Sequence, residues 1–204
     1  QDLSFNTYRA SGGFRGEILP GVDYDLALQY SKVKFNQTYL NDLSVTRLSR
    51  SLNVVDGDPG PAVVPTCQSV IDGTDPGCVP WNIFQLGGVS QAALDYLNVP
   101  LLQRAQTTQS IGTFTLGIDM GTWGVKSPWA EGSVAAVLGT EFRRDSLNSV
   151  TDENFATGNA AGQGGPTIGL SGSTDVSEYF GELDIPLLEG KDFAHELSID
   201  LAYR

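Results

Sequence analysis

The chain has 204 residues, which suits one large all-β unit or two small domains. Its 24 glycines and its 18% of charged residues exclude a soluble helical protein and a disordered acidic tail. A formal net charge of −12 argues against nucleic acid as a partner, because phosphate binding needs a basic face.

Gln1 opens the sequence without an initiator Met or the charged-then-apolar run of a signal peptide, so both ends are expected to be cut from something longer. No run of about 18 apolar residues occurs, which rules out a transmembrane helix. It does not rule out a β-barrel, which crosses with segments of roughly ten alternating residues.

Six segments alternate with the period of a strand. In Thr7 to Ile18, Tyr8, Ala10, Phe14 and Ile18 fall on one face and Arg9, Arg15 and Glu17 on the other. Leu19 to Val22, with Pro-Gly at its centre, reads as a type II turn. Asp23 to Lys32 sets Tyr24, Leu26, Leu28 and Tyr30 against Asp23, Asp25 and Gln29. Phe35 to Arg104 follows as a long connection, its core taken as residues 36–104. Within it, Leu40, Leu43, Leu48 and Leu52 stand near helical spacing and predict a short amphipathic helix. "SQAALDYLN" predicts a second helix, capped by Ser90 and stopped before Pro100.

Between those helices stand the only two cysteines, Cys67 and Cys78, with ten residues between them that include Gly, Asp and Pro turn formers. In so polar a loop a disulfide is expected, against the alternative of two free buried thiols. The only histidine is His195, so a zinc site lacks ligands and no metal or other cofactor is expected.

The third alternating segment, Thr108 to Asp119, sets Phe114, Leu116 and Ile118 against Thr113, Thr115 and Asp119. After a modest connection from Met120 to Gly132, the fourth, Ser133 to Asp145, sets Leu138 and Phe142 against Glu141 and Arg143. A second long connection spans residues 148–174. The fifth segment, Ser177 to Ile185, sets Tyr179, Leu183 and Ile185 against Glu178, Glu182 and Asp184. A connection of roughly ten residues, holding His195 in a solvated turn, leads to the sixth. There Leu197, Ile199, Leu201 and Tyr203 alternate with Glu196, Ser198 and Asp200 up to Arg204.

Two features of this pattern bear on the solvent around it. Aromatics near the segment ends flank small and aliphatic residues, as on a lipid-facing barrel wall. Short and long connections also alternate, as they do between the two sides of an outer-membrane barrel. Leu26, Leu28, Leu138, Leu183 and Leu201 are then expected to face lipid. Asp25, Glu141, Arg143, Glu178, Glu182, Asp184 and Asp200 form a hydrated lumen wall, with Arg15–Glu17 and Arg143–Glu141 as ion pairs. A soluble β-sandwich or lipocalin-like barrel also alternates and stays open as an alternative.

Catalytic motifs are absent. "GLSGS" lacks nucleophile-elbow spacing, "GNAAGQGG" lacks phosphate-loop spacing, and the acids of the fifth segment alternate along one strand. No enzymatic activity is expected. The ligand-binding candidates are in the first long connection: Arg47, Arg50, Trp81, Asn82, Phe84, Gln85 and Tyr96, the types that sugars and chelates use. Packing of the loop on itself is the competing reading of the same residues.

"CQSVIDGTDPGCVPWNIFQLGG", "KSPWAEGSVAAVLGTEFRRDSL" and "EYFGELDIPLLEGKDFAHELSIDLAYR" resemble the middle of a TonB-dependent outer-membrane receptor of proteobacteria. The resemblance covers nearly the whole chain and is weakest over Gln1 to Ala10 and Asn53 to Pro65. It implies that residues 1–204 are part of an all-β, antiparallel barrel of about 22 strands, present here as an open curved sheet of about six. The N-terminal plug, and the segment that meets the TonB complex, are not in this sequence. The implied partners are outer-membrane lipid, the TonB complex, and a scarce small-molecule or oligosaccharide nutrient such as a siderophore, cobalamin or glycan. The function expected is energised uptake across the outer membrane of a Gram-negative bacterium. A passive porin-like channel or a soluble β adhesion module is the alternative.

Overall fold

The computed structural model describes all residues, 1–204, as eight β-strands and four short α-helices. Six strands form one sheet: β1 (Asp2–Leu19), β2 (Val22–Leu43), β5 (Asn98–Asp119), β6 (Ala135–Thr151), β7 (Leu170–Lys191) and β8 (Ala194–Tyr203). They pair in chain order, and β1 and β8 are free edges, so the sheet is open and antiparallel. The remaining pair, β3 (Val54–Asp56) and β4 (Pro65–Cys67), forms a ribbon within the first long connection.

The six expected strands are present, but β2, β5 and β7 are about twice the expected length, at 22 residues each. Ladder bonds are made by the backbone and need no apolar face, so the pairing continues past the alternating stretches into polar sequence. The Gln103 side chain donating to Ser149 Oγ at 3.3 Å is one such polar cross-strand contact. The long connections accordingly shrink to 44–97 and 152–169. The β7–β8 connection shrinks from about ten residues to the turn Asp192–Phe193, which places His195 on β8 rather than in a turn.

The leucine-spaced helix is also corrected. Helix α1 covers only Val45–Leu52, and Leu40 and Leu43 belong to β2. Ser44 ends the strand by accepting from Arg47 N through its side chain, and the carbonyl of Leu43 accepts from Ala161 N at 2.9 Å. Tertiary pairing overrides the local spacing. Helix α2 (Gln68–Ile71) follows β4. Helix α3 (Gln91–Leu97) forms where expected, with Ser90 Oγ accepting from Ala93 N at 3.2 Å. It ends at Leu97, before Pro100 as expected, and Pro100 itself lies inside β5. Helix α4 (Glu153–Thr157) is capped by Asp152, which accepts from Phe155 N at 2.9 Å.

The chain divides into two compact units. The first comprises residues 1–6, 34–106 and 148–171, and holds both long connections. It has a core: Leu101, Phe155 and Ala160 are buried with Tyr39 packed against them, its ring edge-on to Phe155 at 6.1 Å. Hydrogen bonds join the two connections within it. Ser44 Oγ donates to Asn159 Oδ1 at 3.0 Å, and Thr46 N donates to the same oxygen at 2.9 Å; Asp152 Oδ2 accepts from Leu102 N of β5 at 2.7 Å.

The second unit comprises residues 7–33, 107–147 and 172–204, and holds the short turns. Its strands separate apolar from polar side chains. Leu183 sits opposite Leu201 and Ile185 opposite Ile199 on one face of the β7–β8 pair, with Asp184 opposite Asp200 on the other. Leu138 lies against Gly181 on the apolar face, and Phe180 stacks over Gly139 on the polar one. The first turn centres on Gly21 at φ +83°, where a Cβ would meet Asp119 O and the Thr122 side chain at under 3 Å, so only glycine fits. The apolar face is uncovered: Leu28 is 55% exposed, Leu138 51% and Tyr179 68%.

Candidate functional site

The first long connection is held by a disulfide between Cys67 and Cys78, whose Cα atoms are 6.1 Å apart, as the spacing led us to expect. Cys67 is wholly buried. The staple brings the segment after Cys78 back to α1, where Ser51 Oγ donates to Val79 O at 2.8 Å and Trp81 N donates to Ser51 O at 3.0 Å.

Asp75, in the turn between the cysteines, binds two of the predicted ligand-binding residues, and a third joins through Tyr96. Arg50 donates to Asp75 Oδ2 at 2.8 Å and the Tyr96 hydroxyl donates to the same oxygen at 2.7 Å. The Arg47 guanidinium lies 5.6 Å from the centre of the Tyr96 ring and donates to Tyr96 O at 2.8 Å. The Tyr96 hydrogen bond, helped by Arg50, holds the Asp75 carboxyl below the usual carboxylate range. Burial, and the bond to Asp75, pushes the Tyr96 phenol up to about 12. Arg47, Arg50 and Tyr96 are thus engaged in fastening the connection to itself.

The other four predicted residues stand apart from that network, on the segment Trp81–Val89. Trp81 is half-buried and its indole N–H is shielded without a partner. Asn82 Oδ1 accepts from Phe84 N at 3.1 Å and shapes a turn. Phe84 is 94% exposed, and Gln85 beside it is exposed as well. Ile83 and Leu86, which sequence reasoning did not single out, are also exposed. The signal for them was present in the apolar run between Asn82 and Gly87. Asp75 was missed for a different reason: an aspartate before Pro-Gly has the sequence of any turn, and only the fold brings Arg50 and Tyr96 to it.

The polar face of the second unit carries the other predicted group. Arg204 pairs with Glu178, its Nε at 2.8 Å, and approaches Glu141 at 3.9 Å. Arg143 lies 3.7 Å from Glu141 and 3.3 Å from Asp145. Arg204 also lies over the Phe180 ring at 5.9 Å. Asp25, Glu182, Asp184 and Asp200 join no ion pair, and the expected Arg15–Glu17 pair does not form either. No group of three or more His, Cys, Asp or Glu side chains is arranged to hold a metal ion.

Comparison with protein-family models, with curated proteins and with solved structures yields no match to this chain.

Proposed function

We propose that residues 1–204 are a section of the wall and outer loops of an outer-membrane receptor of the TonB-dependent kind, which takes up a scarce nutrient with energy supplied through a plug segment. One observation carries this reading: the second unit is a single antiparallel sheet whose aliphatic and aromatic face is exposed while its opposite face is charged. In water such a face would be covered by a second layer. In a bilayer lipid covers it, and only a closed barrel satisfies every backbone group of such a wall. The free edges of β1 and β8 are where further strands would pair.

In this reading Leu28, Leu138, Leu183 and Leu201 face lipid, and Asp25, Glu141, Glu182 and Asp200 line the lumen. The connections 44–97 and 152–169 face the exterior. The exposed segment Asn82–Gly87 meets ligand or plug, on a base stapled by the disulfide and the Asp75 network. The uncovered apolar face supports a membrane wall over a soluble β-sandwich adhesion module.

The test uses the complete protein that contains this chain. Fractionation should place it in the outer membrane, and nutrient uptake should stop when the proton-motive force is collapsed. Uptake that persists without that force would leave a passive channel. A protein recovered entirely from the soluble fraction would overturn the membrane reading.

A further inference from the structure

The apolar face of the second unit is not smooth. A groove of about 790 Å³ runs across it, within the range of sites that hold small molecules. Its floor is set by two glycines. A Cβ at Gly12 would touch nothing within 4 Å, and one at Gly112 would meet only Leu28 Cδ2 at 3.3 Å. Phe14, Leu28 and Phe142 stand as its walls, each more than half exposed. A wall in a bilayer cannot leave such a recess empty, since the lining would forfeit its dispersion contacts. Hydrocarbon must enter it.

The groove lies at a particular depth. Gly12 and Tyr30 are each nine residues from Gly21 in the turn that joins β1 to β2. About 9–11 tilted residues cross the hydrocarbon core, so the groove reaches the headgroup level of the leaflet away from that turn. There the face changes character. Tyr30 and Arg144 stand at the groove, and Lys32 follows Tyr30 on the same face of β2. Arg144 shares its charge with Asp175 at 3.5 Å, whereas Lys32 joins no ion pair. In a chain of net charge −12, this rim has one cation in excess.

Resting on the membrane-wall reading above, we infer that this groove is a binding site for an anionic, phosphate-bearing membrane lipid, with an acyl chain along Gly12 and Gly112 and the phosphate against Lys32 and Arg144. The chain supplies burial and the phosphate supplies selectivity. One uncompensated basic charge near a lipid surface corresponds to a preference of about five-fold over a zwitterionic headgroup.

The complete protein, placed in nanodiscs of equal phosphatidylglycerol and phosphatidylcholine with matched chains, reports this through the lipids it retains in native mass spectrometry. Phosphatidylglycerol should be retained about five-fold over phosphatidylcholine. Lys32→Gln should bring the two close to parity, and Gly12→Trp, which fills the floor, should lower both. Parity in the unsubstituted protein, a preference untouched by Lys32→Gln, or retention untouched by Gly12→Trp overturns the site. A lipid-free dimer would also overturn it, because a second copy would then cover the groove. Vesicle flotation separates the two levels. A protein that fails to float with vesicles sinks the wall and the site together, whereas one that inserts without headgroup preference sinks the site alone.

Discussion

The two units solve the burial problem in opposite ways. The unit of the long connections buries Cys67, Leu97, Val99, Leu101, Phe155 and Ala160, and seals them with side-chain hydrogen bonds from Ser44, Asp152 and Asn159. The unit of the short turns buries little beyond Ala130 and Pro186, and leaves Phe14, Leu28, Leu138 and Tyr179 exposed. The first is organised as water-soluble domains are, around a small core. The second has the apolar area of a core but spreads it over one face of a sheet. One chain thus carries a part with a core of its own and a part whose apolar face is left bare, and substitutions should sort the two.

The largest effect is expected inside the first unit. Phe155→Ala removes the ring that fills the space between Leu101, Ala160 and Tyr39, and should destabilise that unit by about 3–5 kcal/mol. Hydrogen exchange should show lost protection in 98–102 and 152–161 with the amides of β7 and β8 unchanged. A uniform loss in both units would mean they share one core.

In the second unit, Leu138→Arg puts a charge on the exposed apolar face and should cost about 2–4 kcal/mol when the complete protein folds in lipid. The same change at Asp25, on the polar face, should cost far less. Folding titrations in lipid vesicles decide between them, and equal costs at both positions would mean that the wall does not meet lipid. The disulfide comes next. Cys67→Ser should weaken the first unit by roughly 2–3 kcal/mol, from the entropy that so short a loop regains. Proteolytic nicking between Val79 and Val89 should rise with it. Unchanged nicking would show that the Asp75 network holds the segment alone.

How much of this was legible in the sequence follows the same division. Period-two alternation located all six strands of the sheet and assigned Leu183, Glu182, Leu201 and Asp200 to faces, because a strand leaves no freedom once one residue is placed. The Cys67–Cys78 pair and the Ser90 cap were readable from local chemistry alone. Strand ends were not, because pairing past the apolar band depends on a neighbour's backbone. Tyr39 therefore looked like part of a long connection and Leu40 like part of its helix, and both belong to β2. Nor was the fate of Arg47, Arg50 and Tyr96 readable, since Asp75 is brought to Arg50 and Tyr96, and Tyr96 to Arg47, only by the folded connection. Phe84 and Gln85 remained exposed because nothing in the fold reaches them.

The smallest expected effect tests that network through pH. Tyr96 titrates at about 12 in the folded unit against about 10 for a free phenol, so folding favours its protonated form. That contribution is fully present below about pH 10 and is lost as the pH rises towards 12. Asp75 is shifted the other way, downward, so its contribution is present above the ordinary carboxylate range and fades as the pH falls through its lowered value. Stability of the first unit should therefore be flat between about pH 4 and 10 and decline on both sides. Tyr96→Phe should cost about 1 kcal/mol on the plateau, the value of one hydrogen bond, and should remove most of the alkaline decline. Asp75→Asn should instead reduce the acid decline, the rest of which belongs to Asp72, held low by its bonds from Thr74, while leaving Arg50 without its carboxylate. Thermal unfolding of the complete protein, followed across that pH range for the native protein and both variants, reads the difference. An alkaline limb that survives Tyr96→Phe unchanged would place the titrating group elsewhere than at the Tyr96–Asp75 bond.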